Sequence, residues 1–215
     1  AIIVVHMLGT PSRLDQITEI AKKYNLPVIE DTAWGCGGRF NEIPLGSYCD
    51  IGTFSFDFAK TITTGEGGMI TFKNKKLFEK AAAWHDHGHE NNPDLPRWED
   101  SRSSSGFNYR MNEMQGAVGL AQIKKLDYVV SEQRKNADSI MKSIIDLPIK
   151  MRTVPDNSFE TCDALVFYTE SPQIAIKCRE ELMSVGIGTK ILPEAITWHF
   201  AGNWDHMPEL VNTYG

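Results

Sequence analysis

The chain has 215 residues, is 41% hydrophobic and 23% charged, and carries a formal net charge of −6. That is the composition of an ordinary folded protein with enough apolar material for a core, and the acidic balance argues against a nucleic-acid or membrane-surface partner. No stretch approaches the roughly 20 apolar residues of a membrane span. The four cysteines, Cys36, Cys49, Cys162 and Cys178, show neither a C-x-x-C pair nor finger spacing, which suits a reducing, cytoplasmic setting and points to no structural metal.

The first residues, AIIVVHML, carry no initiator Met and no basic n-region. Ile2 to Val5 is a β-branched run that predicts a central parallel strand buried on both faces. A chain that opens inside such a strand and stops in PELVNTYG, without a closing element, is expected to be a fragment. After the turn Gly9-Thr10-Pro11, Ser12 is placed to cap a helix over Arg13 to Tyr24, where Leu14, Ile17, Ile20 and Ala21 recur at helical spacing. Asn25 closes it, and Leu26 to Glu30 is the next parallel strand. Asp31 then stands at that strand's carboxyl end, where open α/β sheets gather their ligand sites.

A loop with Gly35, Gly37 and Gly38 leads into RFNEIPLGS, which reads as a hairpin or irregular excursion. Asp50 to Phe56 and Gly68 to Phe72 are further strands. Lys75 to Ala83 is helical, with Leu77 and Phe78 facing in. Residues 85–105 are polar and hold two prolines and a serine run, so they read as a long loop, a lid or a substrate-facing segment. Asn112 to Asp146 is a long helical region with a stripe of Met114, Ala117, Val118, Ala121 and Leu126. A strand over Leu165 to Thr169, a helix over Pro172 to Val185 and a strand over Ile187 to Leu192 follow. The domain division is expected near Pro148, with 1–147 a large domain lacking its N-terminal part and 148–215 the start of a truncated small domain.

The chemistry centres on FSFDFAKTITTGEGGMI, Phe54 to Ile70. Most lysines are solvated surface charges, but Lys60 follows an apolar strand and precedes a glycine cluster. A lysine held in a semi-buried turn can lose its proton and attack a carbonyl. Asp31, taken alone, reads as a turn or cap residue, and with Lys60 downstream it becomes a candidate partner for a pyridine nitrogen. Ser55 is either a small strand residue or a phosphate donor. TTGEGG alone is a weak signal, and no GK[ST] follows it, so it is not a P-loop.

Together, EDTAWGCGG, GSYCDIGTFSFDFAKTITTGEGGMI, HDHG and GFNYRMNEMQGAVGLAQ resemble the DegT/StrS-type sugar aminotransferases over about residues 1–145. The resemblance implies an α/β, fold type I, aspartate aminotransferase-like protein with a mostly parallel sheet and pyridoxal 5′-phosphate as cofactor. It implies that Lys60 forms the Schiff base and shuttles protons, Asp31 pairs with the pyridinium, and Ser55 binds the phosphate. Asn108 would reach the phosphate of a neighbouring subunit's cofactor, which implies a homodimer with shared sites. Trp34 stands where relatives usually carry a polar residue near the cofactor's phenolic oxygen, and it is the one clear departure.

The implied reaction moves an amino group from glutamate to a keto sugar in amino-sugar and surface-polysaccharide biosynthesis. SFDF-K-TIT-GEGG, the DHGHE loop and WHFAGNWDH resemble enzymes that aminate C8 of a 3-deoxy-octulosonate (8-amino-3,8-dideoxy-octulosonate aminotransferases), with nucleotide-linked keto hexoses as the second class. Sugar dehydratases of the same family carry histidine in place of the lysine, so Lys60 argues for transamination. A catalytically incomplete dimerisation module is the remaining alternative. His6, at a strand end, His87, in the polar loop, and His199 are weaker substrate-contact candidates. The spacing of His85, His87 and His89 points to a site-facing loop more than to a metal.

Overall fold

The computed structural model describes residues 1–192. The chain divides into two compact units, Ala1–Ile145 with Thr153–Leu165 and Asp146–Arg152 with Val166 onward. Sequence reading puts everything beyond 148 in the second domain. The structure returns 153–165 to the first unit, because a short strand there pairs with a hairpin near the chain's start.

The first unit is built on a four-stranded sheet ordered β1 (Ile2–Val5), β2 (Val28–Asp31), β5 (Ile51–Ser55), β6 (Gly68–Phe72). β1, β2 and β5 run parallel and β6 returns antiparallel to β5. The first crossover carries α1 (Leu14–Lys23). Its Leu14 and Ala21 join Val4, Val28, Phe40, Leu45 and Cys49 in the main core, with Ile2, Ile17 and Tyr48 packed around it. Asn25, at a φ of 51°, ends the helix with its N–H on the Lys22 carbonyl, an αL residue of the kind asparagine tolerates.

Ser12 does not cap that helix. Its hydroxyl donates to the Val5 carbonyl (2.8 Å), its N–H donates to His6 Nδ1 (3.1 Å), and the N-cap position falls on Arg13 with no side-chain bond. β1 is likewise not buried on both faces. Among the described residues it has a paired neighbour on one side only, and while Val4 is buried, Ile3 is 67% exposed.

RFNEIPLGS does form a hairpin, β3 (Arg39–Phe40) against β4 (Ile43–Pro44). Asn41 and Glu42 both take positive φ (48° and 62°), as a two-residue turn matched to strand twist requires. β8 (Ser158–Phe159) pairs antiparallel with β3 and so brings the 153–165 segment home. α2 (Lys75–His85) is capped by Asn74, whose side chain accepts from the Leu77 N–H. Phe78 meets Phe72 edge-on but stays 53% exposed, so the expected inward face is only half covered.

The long helical region is two helices, α3 (Glu113–Ile123) and α4 (Leu126–Ile144), interrupted at Lys124 and Lys125. Asn112 and Gln115 form a reciprocal capping box at the start of α3. No residue of α3 is buried, so the stripe through Met114 and Val118 faces outward, and Met114 is 81% exposed. In the second unit, β7 (Lys150–Met151) pairs antiparallel with β9 (Phe167–Tyr168), and α5 (Pro172–Ser184) is capped by the Ser171 hydroxyl. Residues 187–192, expected as a strand, are not in one.

Candidate active site

Strand alternation separates two adjacent carboxylates. In register, Val5, Asp31, Thr53 and Ile70 form one cross-strand row, and Val4, Glu30, Gly52 and Thr71 form the next. Cross-strand partners share a face and neighbours along a strand do not. Glu30 therefore points into the core beneath α1, and Asp31 points to the opposite face.

Glu30 and His6 are both fully buried. A backbone N–H can only donate, so the Ser12 N–H on His6 Nδ1 makes that nitrogen the acceptor and leaves the proton on Nε2, which donates to Glu30 Oε2 at 3.1 Å. Glu30 also accepts from the Gly46 N–H (2.9 Å) and the Cys49 N–H (2.7 Å). Burial by itself would raise this carboxyl, but the bonds from His6, Cys49 and Gly46 together hold it below its ordinary value. His6 is thus a structural residue. Both of its ring nitrogens are occupied in the core, and the expectation that it meets substrate is not met.

On the other face, Asp31 ends β2 and Ser55 ends β5, two residues beyond Thr53 and therefore on Asp31's side. Asp31 Oδ1 accepts from the Ala33 N–H at 3.1 Å, and Ser55 Oγ accepts from the Asp57 N–H at 3.3 Å. The chain then turns, with the Lys60 N–H on the Asp57 carbonyl (3.1 Å). The loop is tied back on itself: Thr64 N–H donates to the Phe56 carbonyl and Phe56 N–H to the Gly67 carbonyl, both at 2.9 Å. Gln115 of α3 reaches the Glu66 carbonyl at 2.8 Å. Gly67 holds a φ of 154° with Thr64 Oγ1 only 2.6 Å from where a Cβ would stand, so no side chain fits there.

Lys60 is half-buried, and its Nζ lies 3.6 Å from the centroid of the Trp34 ring. That is within cation–π range and places an amine on an aromatic face three residues past Asp31. Sequence reading did not anticipate Asp163. It is half-buried, and burial raises its carboxyl while the Lys60 charge pulls the other way. Its signal in the sequence was nil: ETCD has no spacing relation to Lys60, and only the β3–β8 pairing brings the segment across.

Asn108 is joined to other residues. It is exposed, bridges Asp86, and accepts from Arg110 Nε at 2.9 Å. Asp86 takes a bidentate pair from Arg97 (2.7 and 3.0 Å) and a contact from Arg110 at 3.1 Å. The hydrogen bonds from Arg97 outweigh the effect of burial and, with the Arg110 charge, bring Asp86 down to about 2. The polar 85–105 segment is a tied structure. His89 Nδ1 meets Asp100 at 3.2 Å, and Asp100 also accepts from the N–H groups of Asn91 and Asn92. His87 is exposed with a φ of 55°, and His199 lies outside the described residues.

A carboxylate, a hydroxyl and an amine on one face at the carboxyl end of a mostly parallel sheet, with a covering crossover helix, define the fold type I transferase architecture. The chain belongs to the DegT/DnrJ/EryC1/StrS aminotransferase family, whose model matches residues 1–201. It is 41% identical over 147 residues to GDP-perosamine synthase of Escherichia coli O157:H7, which covers 68% of this chain and 39% of that protein. It is 31% identical over 199 residues to a UDP-4-amino-4,6-dideoxy-N-acetyl-beta-L-altrosamine transaminase of Campylobacter jejuni, covering 89% and 51%. Among solved structures, E. coli GDP-4-keto-6-deoxy-D-mannose-3-dehydratase with bound hydrated PLP superposes with a TM-score of 0.76 at 27% identity, covering 86% of this chain and 51% of that one. The chain thus spans about half the length of these relatives, or less.

Proposed function

We propose that this chain is the lysine-bearing part of a pyridoxal-phosphate-dependent aminotransferase that transfers an amino group from glutamate to a nucleotide-linked keto sugar. The observation that carries the reading is the half-buried Lys60 amine, held over Trp34 at the sheet end where Asp31 and Ser55 share a face. The residues fit the cofactor. Asp31 Oδ2 takes no hydrogen bond among the described residues and is available to a protonated ring nitrogen, and Ser55 offers a hydroxyl to a phosphate.

When bound, the cofactor would supply an aldehyde and an electron-withdrawing ring. Asp31 would hold a proton on the ring nitrogen, and Trp34 would flank the ring's oxygen side. Lys60 would accept a proton from one carbon and return it to another, as a general base tethered beside the reacting atoms. The matched relatives are named for nucleotide-linked amino and keto hexoses, which supports that substrate class. No matched relative reported above is named for an octulosonate, so C8 amination of that sugar is the less supported substrate.

A homodimer with shared sites belongs to the same reading. Its support is the outward apolar α3 together with an exposed ring cluster of Trp84, Phe107 and Tyr109 around Asn108. The proposed setting is cytoplasmic, in keeping with cysteines whose spacing marks no disulfide framework. No described helix is long and apolar enough to cross a membrane.

The test is borohydride trapping after pyridoxal phosphate addition, followed by peptide mapping. Label on Lys60, lost in Lys60→Ala, is expected, and label elsewhere or none would overturn the reading. Keto-sugar assays with glutamate then separate amine transfer from water loss without transfer, the dehydratase outcome.

A further inference from the structure

The extended segment that follows the polar loop is tied to the end of α2. The Phe107 N–H donates to the Trp84 carbonyl (2.9 Å), the His87 N–H to the Phe107 carbonyl (3.0 Å) and the Tyr109 N–H to the His85 carbonyl (2.9 Å). Alternation along extended backbone sorts its side chains. Phe107 and Tyr109 stack at 5.6 Å on one side, with Trp84 edge-on to Phe107 at 5.0 Å. On the other side Arg110 reaches both Asn108 and Asp86, whose backbones are bridge partners. Asp86 is 4% exposed and gripped by Arg97 through both oxygens (2.7 and 3.0 Å), and its Oδ1 meets Arg110 Nη1 at 3.1 Å. Arg110 Nε then donates to Asn108 Oδ1 at 2.9 Å. A guanidinium N–H can only donate, so the atom facing it must be the amide oxygen. The Asn108 NH₂ is therefore turned away from Arg110. Asn108 is exposed, and its NH₂ makes no hydrogen bond among the described residues. Two arginines against one aspartate leave this cluster one positive charge, which favours an anionic acceptor for that NH₂.

We propose that Arg110, braced by Asp86 and Arg97, holds the Asn108 carboxamide so that its NH₂ is offered to a phosphate oxygen. An unrestrained carboxamide turns either way, but a flipped Asn108 would set its NH₂ against the Arg110 Nε–H, donor against donor. Fixing the orientation beforehand spares that ordering cost when the anion binds. Asn108 is the residue that touches phosphate, and Arg110 is a positioning residue that acts through it. The inference rests on the pyridoxal-phosphate reading above, and in the homodimer of that reading the phosphate is that of the cofactor on the partner copy.

Two measurements test it. In cofactor-free protein, water exchange of the Arg110 Nε–H is followed by NMR and is expected to be roughly three- to tenfold slower than in Asn108→Ala. Absorbance titrations with pyridoxal phosphate and with pyridoxal then give the affinity advantage conferred by the phosphate. Asn108→Asp keeps the bond from Arg110 but turns an oxygen toward the anion, so the advantage is expected to fall by roughly tenfold or more. Arg110→Met is expected to lower it by roughly three- to tenfold with pyridoxal affinity unchanged, and Arg110→Lys, which keeps a donor, to recover part of the loss. In an Asn108→Ala background Arg110→Met is expected to add no further loss, which neither a general charge effect nor a damaged fold would show.

A wild-type Arg110 Nε–H that exchanges as fast as in Asn108→Ala overturns the positioning. An Arg110→Met loss of full size in the Asn108→Ala background overturns action through Asn108. Borohydride trapping of pyridoxal phosphate on the wild type separates this inference from the reading beneath it. Trapping at Lys60 with an unchanged phosphate advantage in Asn108→Asp refutes the phosphate site alone. No trapping at Lys60, with the Arg110 Nε–H still protected, refutes the cofactor reading and with it the acceptor assigned to Asn108.

Discussion

Replacing Glu30 by Gln tests the account of the buried sheet face. Glu30 is fully buried and accepts three hydrogen bonds, from His6 Nε2, Gly46 N–H and Cys49 N–H. A glutamine has the same shape but only one acceptor oxygen, and its NH₂ must face a donor. If the oxygen takes the Gly46 and His6 side, the Cys49 N–H is stranded, and in the other orientation two donors are stranded. Each buried unsatisfied donor costs about 1–3 kcal/mol, so the substitution is expected to cost about 2–4 kcal/mol at neutral pH. For a chain of this size that corresponds to a melting point lower by roughly 5–15 °C.

The pH dependence has a definite sign. The folded-state carboxyl lies below its ordinary value of 4.5, so its contribution is complete above that pH and fades as pH falls through the depressed value. Urea titrations of both proteins at pH 7, 5 and 4 are expected to show a constant gap from 7 to 5 that begins to narrow at 4. A loss under about 1 kcal/mol at pH 7, or a gap that widens on acidification, would refute the reasoning.

Leu14→Ala empties a fully buried position in the main core and should cost about 2–5 kcal/mol in denaturant unfolding. Asp86→Asn removes the shared partner of Arg97 and Arg110. Because both arginines are partly exposed, the expected loss is about 1 kcal/mol, read as faster amide exchange over 86–110. The wild type's advantage there should hold above the ordinary 3.8 and disappear as pH falls toward about 2. Asn112→Ala dissolves the capping box of α3 and should cost about 1 kcal/mol, visible as lower helicity on heating.

Local pattern made much of the sheet legible. β2, β5 and β6 carry β-branched or apolar runs bounded by turns, and the hairpin turn falls at Asn41, a residue type that tolerates positive φ. Asp31, Ser55 and Lys60 were legible as a group because a strand's carboxyl end and the loop after it are short-range features. The misreadings share a cause. Ile2 to Val5 reads as a doubly covered strand, yet whether a strand is central depends on what pairs with it, and among the described residues β2 alone does. The stripe on α3 reads as a core face, but periodicity identifies an apolar side without saying what covers it. Ser12 has the chemistry of a cap and is drawn off by Val5 and His6.

Residue order by itself determined the family, the strand–helix–strand opening and the lysine of the candidate site, because each rests on neighbours within a few positions. Tertiary structure decided which of two adjacent carboxylates is available to a ligand. It turned Glu30 inward to His6 and Asp31 outward, since alternate side chains of a strand take opposite faces and the core lies on only one of them. It also returned residues 153–165 to the first unit, because a pairing between β3 and β8 spans most of that unit and leaves no mark in local sequence.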